Sequence, residues 1–309
     1  MAETFDLDDF DNPPPPPRFL YKYLSAERVG NVLEGGTVRF TPLMNTNDTF
    51  EVRSTFDQLA GPKFRKMLSE QMDVTLSEDS VKQMTADLLK EHGLDFLPPE
   101  LALKLAEQHF GQNFMDMLRT HMQTAVDTML VPHFNDPKNI ESLLEKLGRE
   151  LLCFSLSERM DVAPMWAHYA DNNGGFVVAF DTEHEWFQRR KDGKKTRLQK
   201  VTYFDGKVEE PLANVQAALI SKTTDWEYER EWRLYVKEDQ VDKTVGDPAD
   251  PIHLLDFPPD AVDRVILGPK TREEIAQRIR DALAARYPNT RLVRAIPNRA
   301  NHTYDEVEP

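Results

Sequence analysis

Residues 59 to 148 constrain the fold more than any other stretch. Apolar residues there recur near helical spacing and strand signals are almost absent, whereas both flanks are rich in β-formers. Such a chain is expected to be a strand-bearing core interrupted by an all-helical insertion of about 90 residues. Ser77 can cap one helix running to His92, with Gly93 ending it. Pro98 and Pro99 open a longer helix through Leu130, striped by Leu101, Leu105, Phe110, Phe114, Leu118, Met122 and Met129, and Pro132 ends it. "NIESLLEKLGREL" makes another. The stretch holds seven of the eleven methionines, and its Met and Phe stripes read first as core and second as a flexible binding groove. His109, His121 and His133 recur every twelve residues, which turns a helix by about 120° each time. They share no face, and no metal site is expected.

The flanks carry the strands. "RFLYKYLS" reads as a strand from Leu20 to Leu24. "SAERVGNVLEGG" reads as a helix, with Ser25 as N-cap, Val29, Val32 and Leu33 as its stripe, and Gly35 and Gly36 as its stop. "TVRFTPL" is a second strand, and "NTNDTFE", Asn45 to Glu51, a polar turn. Further strands are expected at Leu151 to Ser157, Phe176 to Phe180, Leu198 to Phe204 and Glu229 to Val236. The stretch before the last of these, "NVQAALISKTTDW", reads as helical. "AVDRVILG", an amphipathic helix from Thr271 to Tyr287 and "RLVRAIP" make a β-α-β ending. The class is α+β with a mixed sheet core. Its expected parts are an arm at 1–17, a mixed α/β core at 18–58 and 149–300, the helical insertion at 59–148, and a tail at 301–309.

The arm carries five acids, no base, and then Pro13 to Pro17, a composition for an extended, solvated segment that docks a partner if it does anything. No apolar run approaches the ~20 residues of a membrane helix, no secretory signal is visible, and the single Cys153 suits a reducing cytoplasm. Cys153 sits in an apolar strand and reads as core. A net charge of -15 disfavours a broad nucleic-acid surface. The basic run "RRKDGKKTRLQK" is read as a solvated hairpin tip, or else as a phosphate or RNA contact.

Phosphate-loop, dinucleotide, zinc-protease and nucleophile-elbow motifs are all absent. Four polar-aromatic islands remain: "LYKY", "NTNDTFE", "CFSLS…PMWAHYADNNGG" and "WEYEREWR". The third alone is a hairpin with a crowded entrance, and Trp166, His168 and Tyr169 alone are a buried aromatic cluster. Beside "LYKY" and "EREWR" they look like one wall of a pocket. Glu229 and Glu231 are two apart, so on a strand they point the same way, with Arg233 as compensation. That trio reads equally as a ladder of surface ion pairs. A metal-dependent nuclease using Asp48, Glu51 and Glu231 has no supporting spacing.

In that order the islands resemble a bacterial family known only as domain of unknown function 2971. The resemblance covers residues 18 to about 268, through L-Y-K-Y, N-D-x-F-E, C-F-S, M-W-x-H-Y-A-D-N-x-x-G, Y-E-x-E-W-R and a late I-L-G. The opening, "LYKYLSAERVGNVLEGGTVRFT", also resembles NAD-dependent ADP-ribosyltransferases of the DNA-modifying toxin type and RNA phosphotransferases that use NAD. Lys22 stands where their His is expected.

That second resemblance implies a transferase-like core with NAD as substrate. It also implies a protein or nucleic-acid acceptor, a toxin or phage-defence setting, and no metal. Glu231 would be the main catalytic carboxylate, supported by Glu229 and Tyr169. Tyr21, Lys22, Tyr23, Ser25, Ser155, Trp166, His168 and Arg233 would hold the cofactor, with Lys22 or Arg39 at the pyrophosphate. Breaking the N-glycosidic bond of NAD builds positive charge that a carboxylate stabilises, and aromatic walls suit the flat nicotinamide. The alternative is a non-enzymatic module that binds a nucleotide or peptide.

Overall fold

The structure, a computed structural model, describes residues 14–45, 59–111, 114–188, 190–191, 194–203, 205 and 219–308. Residues Thr46 to Gln58, with Asp48 and Glu51, therefore lie outside the described residues, as do the acids of the arm and the tip of the basic run. Two compact units divide the chain: residues 59–143 belong to one, and 14–45, 144–205 and 219–308 to the other.

The helical stretch contains α1 (Pro62–Thr75), α2 (Glu78–Glu91), α3 (Pro99–Phe110), α4 (Phe114–Ala125), α5 (Val131–Phe134) and α6 (Pro137–Glu150). Ser77 caps α2, its hydroxyl accepting from the Ser80 amide at 3.4 Å, and Gly93 follows with φ +70. The single helix expected from Pro98 to Leu130 is broken: α3 stops at Gly111, whose φ of 101 no other residue type adopts comfortably. Pro132 does not end a helix either. A π turn at Val126–Leu130 precedes it, and the helical run continues through Pro132 to Phe134 as α5. The apolar stripe is only partly core. Ala60, Phe64 and Val131 cluster, but Leu101, Leu105, Phe110 and Met129 are exposed, and α2 and α3 bury no residue fully.

The second unit is organised by strands. In chain order these are β1 (Phe19–Leu24), β2 (Thr37–Pro42), β3 (Leu151–Ser157), β4 (Phe176–Asp181), β5 (Arg190–Lys191), β6 (Lys194–Lys195), β7 (Arg197–Lys200), β8 (Thr202–Tyr203), β9 (Ser221–Lys222), β10 (Glu231–Lys237), β11 (Lys243–Asp247), β12 (Asp250–Asp256), β13 (Val262–Leu267), β14 (Arg291–Asn298) and β15 (Thr303–Val307). The helices α7 (Ala163–Tyr169) and α8 (Glu273–Arg286) accompany them. Eleven of the strands form one sheet, mixed because β13 and β14 run parallel while its other pairs are antiparallel.

The sheet forks at β3. One edge of β3 pairs with β10 along its whole length. The other edge is shared: β1 meets it at Ser157, and β2 meets it at Cys153 and Leu152. One arm continues as β1-β4-β13-β14-β15, the other as β2-β12-β11. Alternation then sorts the side chains. Leu20, Phe40, Phe154, Leu156, Trp232, Leu234, Phe176 and Phe180 turn inward to a core that α8 closes with Ala276, Ile279 and Leu283. Tyr21, Tyr23, Ser155, Ser157, Glu231 and Arg233 turn to the opposite face.

Two local expectations fail in this unit. "SAERVGNVLEGG" forms a 3-10 turn (Ala26–Arg28) and a π turn (Gly30–Glu34), and the Ser25 side chain caps neither. The strand expected at Leu198–Phe204 is interrupted between β7 and β8 at Val201, whose N–H donates to Glu231 O at 2.9 Å.

Candidate functional site

A cavity of about 330 Å³ opens over the face of β3 and β10 beside the fork. Its walls come from four of the strands and from α7: Tyr21, Lys22 and Tyr23 on β1, Arg39 and Thr41 on β2, Ser155 and Ser157 on β3, Glu231 and Arg233 on β10, and Tyr169 on α7. Glu229 and Lys222 complete the floor.

The floor follows from the β10 sequence. In "EWRLYVK" the odd members, Glu231, Arg233 and Tyr235, stand opposite Ser157, Ser155 and Cys153 on one face. Trp232, Leu234 and Val236 fill the core on the other. Glu231 and Arg233, two apart, form a fork-to-fork pair: Nε donates to Oε1 at 2.8 Å and a terminal nitrogen to Oε2 at 2.9 Å. Both side chains are buried.

Glu229 reaches the same floor by a different route from the one expected. It ends a 3-10 turn, Thr224–Glu229, and Arg230 follows with φ 43. That left-handed residue turns the chain so that Glu229 and Glu231 converge although only Glu231 is in a strand. The Ser157 hydroxyl donates to the Glu229 carbonyl at 2.6 Å and fixes the turn.

Lys222 was not foreseen. Its ammonium donates to Glu229 Oε2 at 2.7 Å and Glu231 Oε2 at 3.1 Å, with all three side chains 5% exposed. It also lies over the Trp226 ring, 4.8 Å from the centroid. The Tyr169 hydroxyl donates to Glu229 Oε1 at 2.6 Å. Burial pushes the Glu231 carboxyl up, but the charges of Arg233 and Lys222 and hydrogen bonds from Arg233 and Ser155 outweigh it. Glu231 is held well below the usual carboxylate range and stays ionised.

Lys22 belongs by alternation to the core face, yet it reaches the cavity. On the shared edge of β3 neither β1 nor β2 pairs with Ser155, and Lys22 Nζ donates to the Ser155 carbonyl at 2.8 Å. The ammonium lies 4.9 Å from the Phe154 ring centroid. Burial lowers its pKa, and Glu231 and Glu229 oppose that. The phenol of Tyr23 donates to the Arg159 carbonyl at 2.9 Å, and Tyr21 accepts from Arg264 at 2.8 Å, so both present ring rather than hydroxyl.

Of the residues expected at a site, Tyr21, Lys22, Tyr23, Ser155, Tyr169, Glu229, Glu231 and Arg233 line this one cavity; Ser25, Trp166 and His168 do not. Trp166 is fully buried beneath it, edge-on to Tyr23 at 5.3 Å, with its N–H on the Met160 carbonyl at 2.7 Å. His168 is exposed on α7, and Ser25 lies past the end of β1.

"PMWAHYADNNGG" is not a hairpin. Its first half is α7, and Asp171, Asn172 and Asn173 all take positive φ. Asp171 accepts from the Ala26 amide at 2.6 Å, Asn173 accepts from the Tyr304 hydroxyl at 2.8 Å, and Gly175 packs against the Leu24 carbonyl. The turn clamps the ends of β1, β4 and β13 and thereby aims α7, and with it Tyr169, at the floor.

Among the described residues no group of three or more His, Cys, Asp or Glu side chains is placed to hold a metal ion, and no helix is long and apolar enough to cross a membrane. No curated protein and no solved structure matches this chain. Residues 165–234, which carry most of α7 and Lys222, Glu229, Glu231 and Arg233, match the model of a family described as protein of unknown function (DUF2971).

Proposed function

We propose that this cavity binds the nicotinamide-ribose half of NAD and cleaves its N-glycosidic bond, passing the ADP-ribosyl group to a protein or nucleic-acid acceptor. The observation that carries the reading is an ionised carboxylate, Glu231, on the floor of a cavity walled by Tyr21, Tyr23 and Tyr169. At about 330 Å³ the space sits near the lower end of ligand pockets, roughly 300–1,000 Å³, and suits one nucleoside-sized group. As the bond from the anomeric carbon to the pyridinium nitrogen breaks, its electron pair leaves with neutral nicotinamide. Positive charge grows on the ribose, where Glu231 stabilises it. In this reading Glu229, bonded to the Tyr169 hydroxyl, takes the acceptor's proton.

One observation favours the alternative, a module that binds a nucleotide or peptide without chemistry. Both oxygens of Glu231 already accept from Arg233, and Oε2 also accepts from Lys222. The test is calorimetric NAD binding with nicotinamide release, adding cell lysate as acceptor. Glu231→Gln is expected to cut release by about 10²–10³-fold while NAD affinity stays within a few-fold. Neither binding nor release in the wild type ends the transferase reading. Binding without release in both proteins selects the binding module.

A further inference from the structure

Among the described residues, the ionic groups facing the cavity do not all pair with one another. Two carboxylates, Glu229 and Glu231, meet two cations, Lys222 and Arg233, at contacts of 2.7 to 3.1 Å. Two further cations line the same cavity, Lys22 and Arg39. Among the described residues, Lys22 has only a neutral partner in hydrogen-bond reach, the Ser155 carbonyl at 2.8 Å. Arg39, exposed at the rim on β2, pairs with no acid among the described residues. Thr41 lies two residues beyond Arg39 on the same face of β2, and Asn45 is also at the rim, so a hydroxyl and an amide accompany the two cations. Among the described residues, two cations therefore face the cavity with no carboxylate in direct contact, flanked by neutral donors.

We propose that this rim is a binding site for a doubly charged phosphate group, held between Lys22 and Arg39, so that the ligands of the cavity are pyrophosphates or phosphate esters such as a nucleoside diphosphate. Guanidinium and ammonium both donate to phosphate oxygens, Arg in a planar fork and Lys as a point charge. Burial works against the Lys22 ammonium, and an anion beside it offsets that cost. Arg233 and Lys222 serve the carboxylates and do not contribute to this site. The inference rests on the cavity being a ligand site, but not on NAD being the ligand.

Calorimetry with inorganic pyrophosphate, ADP and adenosine tests it. Pyrophosphate and ADP are expected to bind, more weakly as salt rises, with adenosine at least about tenfold weaker than ADP. Arg39→Gln is expected to weaken pyrophosphate about tenfold or more with an unchanged melting temperature, since the side chain is exposed; Arg280→Gln, on α8, is the control and changes nothing. Wild type that binds neither anion, or Arg39→Gln that binds pyrophosphate as wild type does, overturns the site. Pyrophosphate binding without NAD binding retires the NAD reading and leaves the site standing. NAD binding that Arg39→Gln leaves untouched does the reverse.

Discussion

Replacing Lys222 by Met probes the floor of the cavity without any ligand. The substitution keeps the length of the stem over Trp226 and removes the cation shared by Glu229 and Glu231. All three side chains are 5% exposed, so water and salt screen little of the loss. Removing one partner of a buried ion pair costs about 3–5 kcal/mol, because the remaining charge is left without compensation. At roughly 2–4 °C per kcal/mol for a unit of this size, the melting temperature should fall by on the order of 10 °C. The sign with pH is fixed by Glu231. Its carboxyl is depressed in the folded protein, so it adds stability above the unfolded carboxyl value of about 4.3, and that stability disappears as pH falls through the folded value. Taking away Lys222 removes one depressing charge while burial remains, so the Glu231 carboxyl rises. The gap between wild type and variant should be full at neutral pH, where Glu231 is ionised in both, and narrow only in acid, as pH falls from the variant's folded value towards the wild type's, well below the unfolded carboxyl value. The four tryptophans, Trp166, Trp186, Trp226 and Trp232, all lie in the strand-bearing unit, so urea unfolding followed by tryptophan fluorescence reports that unit alone. An unchanged midpoint at pH 7 would refute the assignment of Lys222 as the counter-charge of both carboxylates.

Two further outcomes follow from the packing beneath the cavity. Trp166→Ala should lower stability by about 3–5 kcal/mol through an emptied core position, seen in urea denaturation. A variant of wild-type stability that binds ligand poorly would instead make Trp166 a pocket wall. Gly175→Ala should cost more than about 3 kcal/mol, since its Cβ would lie 2.1 Å from the Leu24 carbonyl. Gly93→Ala meets nothing and should cost only about 1 kcal/mol, from its positive φ. Equal melting temperatures for the two variants would remove the clamp assigned to the turn.

Strands were legible where alternation was strong. β1, β2, β3, β4, β10, β13 and β14 all lie where β-formers alternate or run together, and a helix joins β13 to β14 as expected. β11, β12 and β15 were missed because "KTVGD", "DPIHLLD" and "TYDEV" mix turn residues and charges into edge positions, where pairing rather than propensity decides. Most of the candidate site was legible because its residues cluster in three of the short islands, "LYKY", "CFSLS…PMWAHYADNNGG" and "WEYEREWR". Trp166 and His168 shared an island with Tyr169, but a helix, not a hairpin, presents them. The 3.6-residue turn sends Trp166 into the core, His168 to solvent and Tyr169 to the cavity. Lys222 carried no local signal, standing in a polar stretch read as helix. The clue was in its partners: two acids two residues apart need more positive charge than Arg233 alone supplies.

The seven-rung ladder between β3 and β10 has a consequence for how this chain can change length. Side chains on a strand swap faces with each residue, so one residue inserted or deleted just before Glu231 would turn β10 inside out. Trp232 and Leu234 would then face the cavity, and a carboxylate and a guanidinium would be driven among Phe154, Phe180 and Leu156. Length changes in Thr224–Glu229 are limited too, because Glu229 must arrive within reach of Lys222 and Tyr169. Ionic floor and apolar core are two sides of the same pair of strands, and neither can be re-registered without dismantling the other.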